Sequence, residues 1–150
     1  MRSVGSMSLR AIGLPSPPQR MTSAYARRVE RYGPAFVYFF DEGAFVEQPG
    51  FWVRGAAGTR VAAMSIQPGE PLQLFIRNAP VKNLVSVDID GQVQTLELQP
   101  REERFVPIPE ASGRRASLIN IRTGSGFRPS QVEPGSTDNR YLGVWIELRK

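Results

Sequence analysis

The chain has 150 residues, of which 41% are hydrophobic and 22% charged, and its formal net charge is +5. It contains neither Cys nor His, which excludes disulfides, thiolate and imidazole metal ligands, and the Ser-His-Asp and Cys-His catalytic arrangements. Residues 1–32 hold six of the 19 basic side chains and one of the 14 acidic ones, so residues 33–150 balance at 13 each. The basic excess belongs to an N-terminal arm that lacks interleaved aromatic residues, and we expect no nucleic-acid partner.

Residues 1–20 are rich in Ser, Gly and Pro and show neither helical nor strand periodicity, which predicts a flexible basic arm. They lack the apolar stretch of a signal peptide, and the longest apolar run of the chain, residues 35–40, is far too short to cross a membrane. We therefore expect no transmembrane segment. The compartment stays open: the cytoplasm if the chain is complete, and the cell envelope if it is a fragment of a larger membrane protein.

A short helix is predicted over residues 21–33. A Thr-Ser pair at its start is a suitable N-cap, and the Gly-Pro pair that follows it cannot continue a helix. Tyr25, Val29 and Tyr32 recur at the spacing of one helical face and would form its apolar stripe.

From residue 34 onward the hydrophobic period changes to two, and turn residues separate the apolar runs. Nine strands are predicted, at 35–40, 51–54, 59–66, 71–77, 83–89, 92–98, 103–108, 116–122 and 141–148. Short, regularly spaced strands without helical crossovers predict an all-β fold. We expect an antiparallel, jelly-roll-like β-sandwich over residues 34–150.

One long connection, residues 123–140, interrupts this pattern, and long connections in compact domains are often functional. Asp138 and Arg140 bracket the entry into the last strand, which is compatible with a local carboxylate–guanidinium pair or with caps to the backbone of the connection. Phe127 is expected to pin the connection to the core. Gly143, inside the last strand, indicates a bulge or a close backbone approach.

Candidate acidic sites are few. Asp88 and Asp90 precede a glycine between two strand-like runs, which is typical of a hairpin turn; a surface calcium site is the weaker alternative. The adjacent pairs Asp41-Glu42 and Glu102-Glu103 point to opposite faces of a strand, so neither pair converges on one substrate atom. The sequence therefore predicts a protein that is not an enzyme and needs no cofactor.

Aromatic side chains near the connection could stack on a sugar ring. Phe51 and Trp52 are adjacent, so one ring must face each side of the sheet, and Trp145 faces away from Val144 and Ile146. The candidate ligand-binding residues are Trp52, Phe127, Arg128, Asp138, Arg140, Tyr141 and Trp145.

The connection and the last strand carry the motif F-x-P at 127–129 and D-x-R-x-L-G-V at 138–144. This pattern resembles a tail motif of accessory β-sandwich modules appended to bacterial glycosyltransferases and related cell-envelope glycan proteins. The similarity extends more loosely to residues 32–54. It implies an accessory role beside a glycan-handling protein, in which the motif closes the sandwich, and it assigns no ligand or catalytic residue.

Two functions follow as hypotheses. The first is a non-catalytic accessory module that binds carbohydrate or docks on a glycan-assembly or cell-envelope partner. The alternative is a structural assembly subunit whose basic arm, residues 1–32, contacts neighbouring subunits in an oligomer.

Overall fold

A computed structural model describes residues 26–110 and 116–150 of the chain. In this part of the chain, eleven strands and one short helix form a sandwich of two antiparallel sheets. The elements are β1 (Arg28–Tyr32), β2 (Ala35–Phe39), β3 (Ala44–Val46), β4 (Phe51–Arg54), β5 (Gly58–Ser65), β6 (Leu72–Asn78), β7 (Asn83–Ile89), β8 (Gln92–Leu98), β9 (Glu103–Ile108), β10 (Ala116–Thr123), α1 (Pro129–Val132) and β11 (Leu142–Arg149). The predicted fold class, an all-β antiparallel sandwich, is confirmed.

The six-stranded sheet has the order β1-β2-β5-β10-β7-β8, and the five-stranded sheet has the order β3-β4-β11-β6-β9. Every pair of neighbouring strands is antiparallel. Between β1 and β11 the chain changes from one sheet to the other seven times, first between β2 and β3 and last between β10 and β11. Each sheet therefore combines strands that are far apart in sequence.

The core lies between the inner faces of the two sheets. Val85, Val87 and Ile89 of β7 are buried there, whereas Ser86 and Asp88 between them face outward, as the period of two predicts. Burying an aliphatic side chain of this kind contributes about 1.5–3 kcal/mol of transfer free energy. The alternation thus fixes which residues form the core and which lie on the outer face.

The N-terminal prediction needs one correction. Residues Arg28–Tyr32 form strand β1, not the second half of a helix, and pair with β2 across a two-residue turn. Gly33 has a φ of +52°, the left-handed value that such a turn requires. Tyr32 fits a helical spacing, but its ring is buried in the core between the two sheets, against Phe39 of β2 and Phe51 of β4. The arm, residues 1–20, and the start of the predicted helix lie outside the described residues.

All nine predicted strands are present, and β1 and β3 are additional. Strand β3 has only three residues and is recognisable by its pairing with β4 rather than by any sequence period. Among the described residues, no helix has the length and apolarity that crossing a membrane requires.

Candidate functional site

The predicted pair at the end of the long connection is confirmed. Arg140 donates from Nε to Asp138 Oδ1 (3.0 Å) and from Nη2 to Asp138 Oδ2 (2.8 Å), and its Nη1 lies 2.8 Å from Glu47 Oε2. Hydrogen bonding from Arg140 lowers the pKa of Asp138. The guanidinium carbon of Arg140 also lies 5.0 Å from the centre of the Phe45 ring. The pair therefore attaches the connection to the five-stranded sheet.

Phe127 pins the connection to the protein, as predicted. Its side chain is 7% exposed and packs with Ala79 and Leu142, and its ring centre lies 6.0 Å from that of Trp52. The residue that follows it, Arg128, is exposed and places its guanidinium 5.2 Å from the ring centre of Tyr141. Arg128 also donates to the backbone carbonyl of Asn139.

The two tryptophans form a packed pair rather than an open platform. Phe51 lies in the core and Trp52 on the opposite, outer face, which confirms their predicted division. Trp145 is only 5% exposed, its ring centre lies 5.5 Å from that of Trp52, and its Nε1 donates to Glu147 Oε2 at 2.7 Å. Trp145 therefore offers no open ring face to a sugar.

A buried amide network holds the start of the connection. Asn83 Oδ1 accepts hydrogen bonds from the backbone N–H groups of Gly124 (3.1 Å) and Ser125 (3.0 Å), and its Nδ2 donates to Asn78 Oδ1 (3.1 Å). At the far end, the pairing register shifts beside Gly143, the predicted bulge. A Cβ at that glycine would meet the Thr123 side chain at 2.8 Å, so the predicted close approach is also present.

All seven residues predicted for ligand binding therefore lie in or next to the connection and the five-stranded sheet, where they mostly contact one another. Trp52, Phe127 and Trp145 form an aromatic cluster, Arg128 stacks on Tyr141, and Asp138 binds Arg140. This arrangement stabilises the connection and leaves little hydrogen-bonding capacity for a ligand.

The hairpin predicted at Asp88 is confirmed. Asp90 and Gly91 have φ values of 51° and 90°, the left-handed conformations of a two-residue hairpin turn. Asp88 Oδ1 accepts from the Gly91 N–H and Asp90 Oδ1 from the Leu118 N–H, both at 2.9 Å. Within residues 26–110 and 116–150, no group of three or more acidic side chains could hold a metal ion.

A groove of about 500 Å³ crosses the outer face of the six-stranded sheet. Its size lies within the range of about 300–1,000 Å³ that is typical of small-ligand sites. Apolar side chains, Phe40 and Val93, stand among its lining residues. The polar side chains between them are Arg60, Ser86, Asp88, Asn120 and Arg122.

Strand register brings these polar residues together. Asn120 on β10 lies opposite Arg60 on β5 and opposite Asp88 on β7. Two residues further along β10, on the same face, Arg122 lies opposite Ser86. Directly opposite residues in antiparallel strands have Cβ atoms about 4.5–5.5 Å apart, so the two rows form one continuous polar surface.

The groove contains hydrogen-bonding groups that the protein does not use. Among the described residues, the side chains of Arg60, Ser86, Asn120 and Arg122 have no hydrogen-bond or ion-pair partner. Asp41, at the rim, differs: its Oδ1 accepts from Gly43 N and Thr59 Oγ1, and its Oδ2 accepts from the Arg60 N–H. The groove is thus built on a fixed edge and presents free polar groups at its centre.

Except for Asp88, the groove residues are not among those predicted from the sequence. The sequence feature that could have indicated them is alternation, since Asn120 and Arg122 alternate with the buried Ile119 and Ile121 on a central strand. That alternation identifies them as outward-facing. It does not reveal that Arg60, sixty residues earlier, lies beside Asn120.

No protein-family profile and no curated protein sequence matches the chain. A solved structure of a family two carbohydrate esterase from Cellvibrio japonicus is similar, with a TM-score of 0.40 and 10% sequence identity. The match covers 77% of this chain and 34% of that protein, so this chain spans about a third of the esterase chain. At this TM-score and identity the likeness carries no information about function.

Proposed function

We propose that this chain is a non-catalytic β-sandwich module that binds carbohydrate in the groove on the outer face of its six-stranded sheet. The observation that supports the proposal is the set of polar side chains that line a groove of about 500 Å³ and have no partner within residues 26–110 and 116–150. Polar groups on a protein surface are usually satisfied by water, but several that converge in one concave site are a common feature of ligand sites.

The chemistry of these side chains suits a sugar. A saccharide presents hydroxyl groups that both donate and accept hydrogen bonds, and apolar C–H faces between them. Asn120 supplies two amide donors and one acceptor, Arg60 and Arg122 supply donors, and Asp88 retains a carboxylate oxygen. Phe40 among the lining residues supplies apolar surface for the C–H faces.

A binding role, rather than catalysis, agrees with how the groove carboxylates are used. Both oxygens of Asp41 accept hydrogen bonds that fix a turn and the start of β5. Asp88 accepts the backbone N–H of its own hairpin. The accessory role beside a glycan-handling protein rests on the resemblance of the 127–144 motif. The alternative, an assembly subunit that uses residues 1–32, stays a prediction because residues 1–25 lie outside the described residues.

Calorimetric titration with a glycan panel, paired with tryptophan fluorescence, tests the proposal and locates the ligand. Trp52 and Trp145 both lie on the five-stranded sheet. Binding in the groove should therefore release heat without changing their fluorescence. A fluorescence change on binding would instead place the ligand at the aromatic cluster beside the 123–140 connection.

Asn120→Ala is the matching variant, and we expect it to weaken binding at least about tenfold because it removes the central amide of the groove. Gln131→Ala, which removes an exposed amide from α1, is the control and should bind like the unchanged protein. Absence of heat with every glycan, or equal affinity of Asn120→Ala and the control, would contradict the proposal.

A further inference from the structure

Two arginines on central strands of the six-stranded sheet have no partner. Arg60 on β5 and Arg122 on β10 are exposed, and neither guanidinium has a hydrogen bond, an ion pair or a ring contact among the described residues. Elsewhere, Arg104, Arg140 and Arg149 each bind a carboxylate at 2.6–2.8 Å. The groove therefore contains cationic donors that no residue in the described part of the chain binds.

The two arginines are close enough to act on one group. Arg60 lies opposite Asn120, and Arg122 is two residues further along on the same face, a diagonal separation of about 7–8 Å. Gly58 lies directly opposite Arg122, and a Cβ there would lie 3.0 Å from Arg122 Cγ. The aliphatic part of the Arg122 side chain thus lies over Gly58 of β5, the strand that carries Arg60.

Donors outnumber acceptors in the groove. Each guanidinium has five N–H donors and no acceptor. Of the two groove carboxylates, Asp41 has both oxygens engaged, and Asp88 has one oxygen bound to Gly91 N–H. A neutral sugar hydroxyl has one hydrogen-bond donor and two acceptor sites, whereas an anionic group has acceptor sites only. The excess of donors therefore favours an anionic group in the ligand.

We propose that the groove recognises an acidic saccharide, one that carries a carboxylate, sulfate or phosphate group, and that Arg60 and Arg122 hold that group. This inference rests on the proposed carbohydrate-binding function and names its substrate class. Guanidinium groups match the planar or tetrahedral oxyanions with paired, charge-assisted hydrogen bonds, which are stronger than bonds between neutral partners. Asn120, between the two arginines, contacts the neighbouring hydroxyl groups.

Calorimetric titration of the intact chain with matched pairs of oligosaccharides tests the inference, each pair comprising a neutral sugar and its uronic-acid, sulfated or phosphorylated counterpart. We expect the acidic member to bind at least about tenfold more tightly at low salt, with a preference that shrinks as salt rises. Arg60→Ala and Arg122→Ala should each reduce the preference, and the double variant should abolish it. Arg31→Ala, which removes an exposed arginine from the edge strand β1 of the same sheet, is the control and should retain it.

The outcomes separate the two proposals. If neutral and acidic members bind equally, or if the preference survives in the double variant, the acidic-saccharide inference is overturned while carbohydrate binding stands. If no member of any pair binds, both proposals fail. Inorganic sulfate and phosphate are titrated alone, and binding as tight as that of the acidic saccharides would show that the groove recognises the free anion, which overturns the inference as well. Unfolding curves of each variant confirm that it is folded.

Discussion

The two outer faces of the sandwich treat their polar groups in opposite ways. On the five-stranded sheet, Arg149 binds Glu147 and lies 3.9 Å from the centre of the Phe75 ring, while Glu147 also accepts from Trp145. The charged groups, the aromatic ring and the indole donor of this face thus find their partners within the protein. On the six-stranded sheet, the central strands present Arg60, Asn120 and other polar side chains that have no such partner among the described residues.

This difference separates stabilisation from recognition. Where donors and acceptors are already paired with each other, a ligand can bind them only by breaking a hydrogen bond within the protein. A surface whose polar groups are bound only to water can exchange that water for a ligand without breaking a bond within the protein. The connection at 123–140 lies on the matched side, where Phe127 and the Asp138–Arg140 pair attach it to the five-stranded sheet. The proposed ligand groove lies on the other side.

Substitution of the buried tryptophan should have the largest effect. Trp145→Ala removes a ring that packs on Trp52 and takes away the donor to Glu147, and we expect a loss of about 3–5 kcal/mol in the free energy of unfolding. Denaturant unfolding measures it. Val93→Ala, at a side chain that is 61% exposed on the edge strand β8, is the control. A loss below about 1 kcal/mol for Trp145→Ala would contradict the matched description of this face.

The rim of the groove should show an intermediate effect, because Asp41 lines the groove but is used structurally. Asp41→Ala leaves the buried Thr59 hydroxyl and two backbone N–H groups without their acceptor, so we expect a loss of about 1–3 kcal/mol in unfolding free energy. The adjacent Glu42→Ala removes a carboxylate from an exposed ion pair and should cost little. Equal effects of the two substitutions would show that Asp41 is as free as the centre of the groove.

Acidification should weaken the five-stranded face through Glu147. Burial opposes its ionisation, but hydrogen bonds from Trp145 and Arg149 outweigh this, so the pKa of Glu147 is lowered from 4.5. A pKa that is lower in the folded state means that ionised Glu147 stabilises the fold above about pH 4.5, and that this contribution is lost as the pH falls through the folded pKa. Glu147→Gln should therefore reduce the unfolding free energy at pH 7 by about 1–2 kcal/mol, and the difference from the unchanged protein should disappear as the pH falls below the folded pKa of Glu147. Denaturant unfolding at each pH measures the gap, and a gap that is constant with pH would disprove the assignment.

The sequence predicted the sandwich well because strand alternation is local. The alternation of Val85, Val87 and Ile89 within the seven residues of β7 predicts the inner face of that strand. The position of Gly143 inside a strand predicts the bulge. The local signal misled at β1, where the spacing of Val29 and Tyr32 also fits a helix. Pairing with β2 across the Gly33-Pro34 turn decides between the two structures there, and the spacing of apolar residues within β1 alone does not show that pairing.

The groove could not be predicted for the same physical reason. Alternation states that Arg60, Asp88 and Asn120 face outward, but only the pairing of β5, β10 and β7 makes them neighbours. Residue type alone does not show whether an aromatic side chain is open to a ligand. The residue types of the aromatic candidates suit sugar stacking, yet Trp145 faces outward and is still buried, because Trp52 and the side chains of neighbouring strands cover it.

The smallest effect on stability is expected where the effect on binding is largest. Arg60→Ala and Asn120→Ala remove side chains that have no partner among the described residues, so each should change the free energy of unfolding by less than about 0.5 kcal/mol. Thermal and denaturant unfolding measure this, with Trp145→Ala as the destabilised reference. A loss of 2 kcal/mol or more would show that these groups hold the sheet together, and the contrast between the two faces would disappear. Unchanged stability together with lost glycan affinity would mean that the polar groups of the groove contribute to recognition and not to folding, because folding leaves their hydrogen-bonding capacity available to a ligand.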